Sequence, residues 1–151
     1  NGGQTVREQE AMKPLKKREI NILLIEDEEA IINMYKLRFE QAGFQVEAAR
    51  NGAWGIKLAK QKKFDIIFLD MVMPAMNGYD ALKILKADAA TKSAPIIILS
   101  NSAQDQDIAK QKRLGAAPSL LKSAITPARL IKEVEKIIKQ PAGPQVKSKY
   151  D

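Results

Sequence analysis

Polar side chains able to hold a metal ion or a phosphoryl group follow four short apolar runs of this 151-residue chain. They are Glu26 and Asp27 after the first run, Asp70 after the third, Ser100 after the fourth and Lys122 after the fifth. Carboxylates brought together raise one another's pKa unless a cation joins them. Mg²⁺ suits such a group because it prefers oxygen ligands. The pattern therefore predicts a site for a hard cation and for phosphoryl chemistry.

Each of these residues, taken singly, also has a plainer explanation. Glu26 and Asp27 could simply begin a helix, because acidic residues stabilise a helix N-terminus. Asp70 could be a loop acid, and Ser100 a turn residue. Lys122 could be a solvated surface charge. A common site is favoured because all of these residues occupy equivalent positions along the chain.

The composition removes several classes of chemistry. The chain contains no Cys and no His. Disulfides, thiolate metal sites, histidine-ligated zinc or haem, and Ser–His or Cys–His nucleophiles are therefore excluded. Carboxylates, hydroxyls and lysines remain to carry any reaction.

The residues that must position this site fall into alternating strand and helix patterns. The five apolar runs are Ile20–Ile25, Phe44–Ala48, Ile66–Leu69, Pro95–Leu99 and Ser119–Leu121. Aliphatic runs are typical of parallel strands buried on both faces, whereas the second run alternates with polar residues and indicates an edge strand. Five such units predict an open, doubly wound α/β sheet with helices on both faces, whose ligands bind at the carboxyl ends of the strands.

Helical periodicity fills the gaps between the runs. The predicted apolar positions are Ile31, Tyr35, Phe39 and Ala42 in the first helix; Trp54 and Leu58 in the second, capped by Asn51; Ala81, Leu82 and Leu85 in the third; Ile108, Ala109 and Leu114 in the fourth, about residues 103–114; and Leu130, Ile131, Val134, Ile137 and Ile138 in the fifth, capped by Thr126 with Pro127 at its first position. Gly43 is expected to stop the first helix.

Composition also divides the chain into three parts. Residues 1–18 are polar and glycine-led and indicate a flexible arm, residues 19–140 form the predicted domain, and residues 141–151 indicate a tail or linker. The net charge is +7, of which residues 1–18 carry five basic and two acidic residues. No basic groove interleaved with aromatics is evident, which argues against a nucleic-acid partner. No apolar run is long enough to span a bilayer, and a cytoplasmic protein is expected.

Four motifs in this order resemble the receiver domain of response regulators in two-component signal transduction. They are ILLIEDE at Ile22–Glu28, DMVMPAMNG at Asp70–Gly78, PIIILS at Pro95–Ser100 and LLK at Leu120–Lys122. The match in spacing covers about 120 residues, from Ile20 to roughly Gln140. The resemblance implies a flavodoxin-like, CheY-like fold with five helices and the strand order 2-1-3-4-5.

The resemblance also assigns roles position by position. Asp70 matches the phosphorylated aspartate, and Glu26 and Asp27 match the acidic pair that holds Mg²⁺ with it. The backbone carbonyl of Val72 matches a further metal ligand. Ser100 and Lys122 match the hydroxyl and the lysine that contact the phosphoryl group. Pro74 and Gly78 match the turn that leads from the aspartate into the third helix.

Such a domain implies a signalling phosphoprotein, not an enzyme acting on other substrates. It catalyses only its own phosphorylation and dephosphorylation. The phosphoryl group would come from a histidine kinase or a histidine phosphotransfer protein. The output would pass to a protein target through the fourth helix, fifth strand and fifth helix, and a homodimer that forms on phosphorylation is a further expectation.

Two positions depart from the family pattern. Ser123 follows the lysine where proline is usual, so the Lys122–Ser123 peptide is expected to be trans. Ser119 stands where an aromatic residue is common. These departures support one alternative, a pseudo-receiver that binds a partner without phosphorylation. A flavin or nucleotide binder of the same sheet type is disfavoured because, without a metal ion, the clustered acids would repel a phosphate. A carboxylate-nucleophile phosphatase is disfavoured because the first run lacks a D-x-D pattern.

Overall fold

The computed structural model describes residues 19–101 and 107–138. Its strands are β1 (Asn21–Ile25), β2 (Gln45–Ala49), β3 (Ile66–Asp70), β4 (Ile96–Ser100) and β5 (Ala117–Leu121). Its helices, numbered in chain order, are α1 (Glu29–Gln41), α2 (Gly52–Gln61), α3 (Gly78–Ala87), α4 (Ile108–Arg113) and α5 (Pro127–Ile138). The arm 1–18, the tail 141–151 and the first part of the predicted fourth helix lie outside the described residues.

All five strands are parallel and lie in the order β2-β1-β3-β4-β5. This confirms the predicted doubly wound sheet, including the position of β2 at an edge. The central strands β3 and β4 are buried along their whole length. Parallel strands buried on both faces favour apolar side chains on both, which explains the apolar runs Ile66–Leu69 and Ile96–Leu99 that precede Asp70 and Ser100.

Local sequence signals fix where the helices begin and end. The side chains of Asn51 and Asn77 accept hydrogen bonds from backbone N–H groups in the first turns of α2 and α3. Thr126 caps α5 in the same way, accepting from the Arg129 N–H at 3.1 Å. Gly43 follows α1 with φ of +92°, a left-handed conformation that glycine adopts without steric cost. The predicted caps and the predicted stop are confirmed.

The sheet separates two apolar cores. On one face, Ile22 and Leu24 of β1 pack with α1 and α5 through residues such as Phe39 and Val134. On the other face, Leu23 and Ile25 pack with α2 and α3. Leu114, directly after α4, joins this second core. Helices α1 and α5 therefore form one outer layer, and α2, α3 and α4 the other.

Two of the predicted apolar helix faces were wrong in part, because Leu58 and Leu114 pack against the second core as predicted but Trp54 and Ile108 are exposed. Trp54 is 47% exposed, and α2 instead buries Gly52, Gly55, Ile56 and Ala59. In α4, Ile108 is 57% exposed and the residue facing the core is Gln111. Both helices are short and rich in small or polar residues, so their few large apolar side chains do not mark the buried face. In α1, Ile32 is buried more deeply than the predicted Ile31.

The Lys122–Ser123 peptide is trans, as expected, and no cis peptide bond occurs among residues 19–101 and 107–138. Across the same residues, every helix is too short or too polar to cross a membrane.

Candidate functional site

The carboxyl ends of β1 and β3 bring three acidic side chains together. Oxygen atoms of Glu26, Asp27 and Asp70 lie within 4.8 Å of one another. Because β1 and β3 are neighbouring parallel strands in register, residues that follow them share one edge of the sheet. Glu26 is completely buried, and Asp70 is 1% exposed. Such a desolvated group of carboxylates needs positive charge beside it.

Lys122, directly after β5, supplies that positive charge. Its Nζ lies 2.6 Å from Glu26 Oε1 and 2.9 Å from Asp70 Oδ1, and its side chain is 6% exposed. A third carboxylate, that of the exposed Glu28, lies 3.8 Å away. Lys122, which follows β5, therefore forms ion pairs with both Glu26, after β1, and Asp70 of β3.

Ser100 ends β4 between the aspartate and the lysine. Its side chain is fully buried, and its hydroxyl donates a long hydrogen bond of 3.5 Å to the Leu120 carbonyl. Its own backbone carbonyl accepts from the Lys122 N–H at 2.9 Å. Ser100 is therefore linked to β5 through both its side chain and its backbone, and a displacement of Ser100 would reach the segment that carries Lys122.

Burial sets the electrostatics of the Asp70 carboxylate. Desolvation raises the pKa of Asp70 to about 7, against the hydrogen bond from Lys122, which lowers it; Glu26 raises it further. The pKa of Lys122 is raised, because the hydrogen bonds and charges of Glu26 and Asp70 outweigh its own desolvation. Lysine stays protonated while the carboxylate beside it is kept poorly solvated, a combination that favours nucleophilic use of Asp70.

The loop from Asp70 to α3 is shaped by close backbone contacts. A Cβ at Gly78 would lie 2.8 Å from the Asp70 carbonyl oxygen, so only glycine fits there. Ala75 has φ of 70°, a left-handed conformation uncommon for alanine. Val72 is 55% exposed, and its N–H donates to Asp70 Oδ1 at 3.4 Å. This turn holds Asp70 at the sheet edge and leaves a solvent-facing side chain two residues beyond it.

The donor set fits a hard divalent cation. Glu26 already uses both oxygens, one with Lys122 and the other accepting from the Glu28 N–H at 3.0 Å. Asp27 is only partly buried and makes no ion pair among the described residues. Asp27 and Asp70 are therefore the carboxylates placed to bind a metal directly, whereas the oxygens of Glu26 are engaged by Lys122 and by the Glu28 N–H. Oxygen-only ligands at one open edge match the preference of Mg²⁺.

All of the predicted side chains thus lie at the carboxyl edge of the sheet. Two neighbouring side chains, Glu28 and Tyr35, were not predicted from the sequence as part of the site. Glu28 is adjacent in sequence to the acidic pair, which was the available signal. Tyr35 of α1 is 1% exposed, and burial raises the pKa of its phenol to about 12, with Lys122, Glu26 and Asp70 close enough to contribute. Tyr35 appeared in the sequence only as an apolar helix position.

The chain is similar to known proteins in sequence and in fold. The profile of the family described as response regulator receiver domain matches residues 22–135. Protein PilH of Pseudomonas aeruginosa is 41% identical over 103 residues, which cover 67% of this chain and 84% of PilH. The transcriptional regulatory protein CusR of Escherichia coli is 30% identical over 87% of this chain, but the match spans only 56% of CusR.

Solved structures share the fold. The chemotaxis protein CheY4 of Vibrio cholerae is 27% identical with a TM-score of 0.73, covering 79% of this chain and 98% of CheY4. The receiver domain of a sensor histidine kinase from Pseudomonas aeruginosa PAO1, solved with a magnesium ion in its active-site cleft, is 24% identical with a TM-score of 0.73. That match covers 80% of this chain and 98% of the kinase domain, and at this identity it shows the fold alone.

Proposed function

The chain belongs to the response regulator receiver domain family, and from that premise we propose that it is a signalling switch phosphorylated on Asp70. The observation that carries the proposal is the pairing of a buried aspartate with a buried lysine, at 2.9 Å, beside two further carboxylates. A purely structural ion pair would not need a group of three acids at the open edge of the sheet. Phosphoryl transfer uses both features.

The proposed reaction requires little covalent chemistry from the protein. An Asp70 carboxylate oxygen forms a bond to phosphorus as the bond from phosphorus to the donor breaks, leaving an acyl phosphate. Because the chain has no His, a histidine donor must belong to another molecule, a kinase or a phosphotransfer protein. Its imidazole leaves with the bonding electrons and takes up a proton.

The neighbouring side chains would stabilise the transferred group. Lys122 would exchange its contact with the carboxylate for one with a phosphoryl oxygen, because its charge is already held at the site. Ser100 would donate its hydroxyl hydrogen to another phosphoryl oxygen. Since Ser100 is bonded to β5 through its backbone, this contact would couple phosphorylation to β5 and to the adjacent α4 and α5, the proposed surface for a protein target.

Mg²⁺ is the proposed cofactor. Asp27, Asp70 and the Val72 carbonyl would hold it, with Glu26 supporting the group from behind. The bound ion would supply charge neutralisation for the phosphoryl oxygens. The magnesium in the kinase receiver structure of the same fold supports this assignment.

Intact-mass spectrometry with a small acyl phosphate donor tests the proposal. We expect one phosphoryl adduct in the presence of Mg²⁺ and none after chelation. Asp70→Asn should remove the adduct, whereas the matched control Asp80→Asn, an exposed acid on α3, should keep it. An equal adduct on Asp70→Asn would contradict the assignment, and its complete absence from the wild type would favour the pseudo-receiver alternative.

A further inference from the structure

Positive charge is concentrated on one outer layer of the domain. Helices α2, α3 and α4 contain seven Lys or Arg residues and one Asp, whereas α1 and α5 contain five Lys or Arg residues and four Glu residues. In the layer of α2, α3 and α4, the chain continues from α2 into Lys62 and Lys63, and no acidic residue lies between Trp54 and Lys63. These basic residues are far apart in the sequence, and the fold brings them to one side of the domain.

The outward side of α2 and α3 combines this charge with exposed apolar side chains. It consists of Trp54, Lys57 and Lys60 of α2 and Lys83 and Ile84 of α3, here called the basic face. Lys60 pairs with Asp88 at 3.3 Å, which ties the carboxyl end of α2 to that of α3. Among the described residues, Lys57 and Lys83 make no ion pair. Two cations and an indole therefore face solvent on adjoining helices.

We propose that the basic face binds an acidic amphipathic segment of a protein partner, with Trp54 as its apolar anchor. Charge complementarity requires that carboxylates of the partner segment lie opposite Lys57 and Lys83. The exposed parts of Trp54 and Ile84, 47% and 39%, call for apolar side chains between those carboxylates. Tryptophan is one of the residue types enriched among the energetically dominant residues of protein interfaces. The proposal concerns a surface separate from Asp70 and does not depend on phosphorylation.

The same details disfavour other anionic partners. Lys57 Nζ lies over the Trp54 ring, 5.1 Å from its centroid, and so occupies a ring face that a nucleic-acid base would need for stacking. Trp54 and Ile84 are each more than half covered by the protein. They therefore offer little apolar area for insertion into a membrane interface, where binding strength scales with the apolar area buried.

Trp54 fluorescence provides the assay, because Trp54 is the single tryptophan of the chain. The probes are a helical peptide of Glu and Leu, a Glu and Gln peptide of equal length, phosphatidylglycerol vesicles and a single-stranded oligonucleotide. We expect the Glu and Leu peptide to bind most tightly and to shift the emission to shorter wavelength. Raising the salt from 50 to 300 mM should weaken binding about tenfold, because exposed charges are screened.

Charge reversal supplies the matched variants. Lys57→Glu with Lys83→Glu should weaken peptide binding at least about tenfold, and Lys132→Glu with Lys136→Glu on α5 should change it less than about twofold. Lys57→Gln with Lys83→Gln, a milder pair, should give an intermediate loss. Asp70→Asn should bind like the wild type, which separates this test from that of phosphorylation. Equal affinity of the reversed protein, or tighter binding of vesicles or oligonucleotide, would overturn the proposal.

Discussion

At the scale of single residues, Asp70 has the most unusual environment in the described part of the chain. Burial holds its pKa at about 7 in the folded protein, above the value of about 3.9 that an unfolded chain gives. The folded state therefore binds a proton that the unfolded state releases. The stability that this proton contributes is fully present below the unfolded pKa and is lost as the pH rises through 7.

The upward shift of the Asp70 pKa can be tested on the metal-free protein. At pH 8, Asp70→Asn should raise the free energy of unfolding by about 1–2 kcal/mol, because it removes a desolvated charge. The gain should shrink toward pH 5, and urea unfolding at both pH values measures it. Mg²⁺ at pH 8 should stabilise the wild type and leave the variant nearly unaffected. A gain of equal size at pH 5 and pH 8 would contradict the raised pKa.

Val72 stands two residues beyond Asp70 and faces solvent. Its isopropyl group offers no hydrogen bond that could position a water molecule for attack on an acyl phosphate at Asp70. We therefore expect slow self-dephosphorylation and a severalfold faster loss in Val72→Asn. Intact-mass measurements after removal of the phosphoryl donor give both rates. Val72→Ala is the control for lost bulk, and decay that is unchanged or slower in the asparagine variant would refute the idea.

Among the strands and helices, those that bury the most apolar surface are the ones that the sequence predicts correctly. The strand β4 was predicted because its Ile run fits only a strand buried on both faces. Helix α4 was predicted with the wrong face because Gln111 is its core-facing residue. The site edge could be predicted because parallel strands deliver their carboxyl ends together. The Glu26–Lys122 ion pair could not, since residue spacing does not specify side-chain rotamers.

The buried Gln111 makes α4 a weakly held element. It is 2% exposed, and its side-chain nitrogen has no hydrogen-bond partner among residues 19–101 and 107–138. Within the same residues, the buried hydroxyl of Ser119 on β5, against which α4 packs, also has none. A buried polar group without a partner costs about 1–3 kcal/mol. The resting position of α4 on β5 is therefore less stable than an apolar contact would make it.

Gln111→Leu should stabilise the protein by about 1 kcal/mol, because it removes a buried amide whose nitrogen has no hydrogen-bond partner in the described part of the chain. Urea unfolding of the metal-free protein measures the change. Gln61→Leu, the same substitution at an exposed position of α2, should stay within about 0.5 kcal/mol of the wild type. Destabilisation by Gln111→Leu, with Gln61→Leu neutral, would mean that the amide is needed where it stands.

Over the whole domain, Ser100 and Lys122 of the site lie on the same half of the sheet as the weakly held helix α4. Ser100 and Lys122 join β4 to β5, and α4 packs on β5. Helix α2 contacts β1 and β2 at the opposite edge. A change at Asp70 therefore reaches β5 and α4 through the hydrogen bonds of Ser100 and Lys122, whereas α2 meets the site through close packing of Gly52 on Met76. The strand order and these hydrogen bonds predict a response directed toward β5 and α4.

Phosphorylation of Asp70 should accordingly perturb amide NMR signals of Ser100, Asn101, α4 and β5 far more than those of residues 51–62. The predicted movement also includes residues 102–104, which lie outside the described residues. Because Ser119 has no ring to swing inward, the backbone must carry the change. Ser100→Ala should keep Asp70 phosphorylatable and reduce the shifts in α4 and β5 to the level of residues 51–62. Shifts confined to the residues around the metal site would instead show that phosphorylation does not reach α4, and would favour the pseudo-receiver alternative.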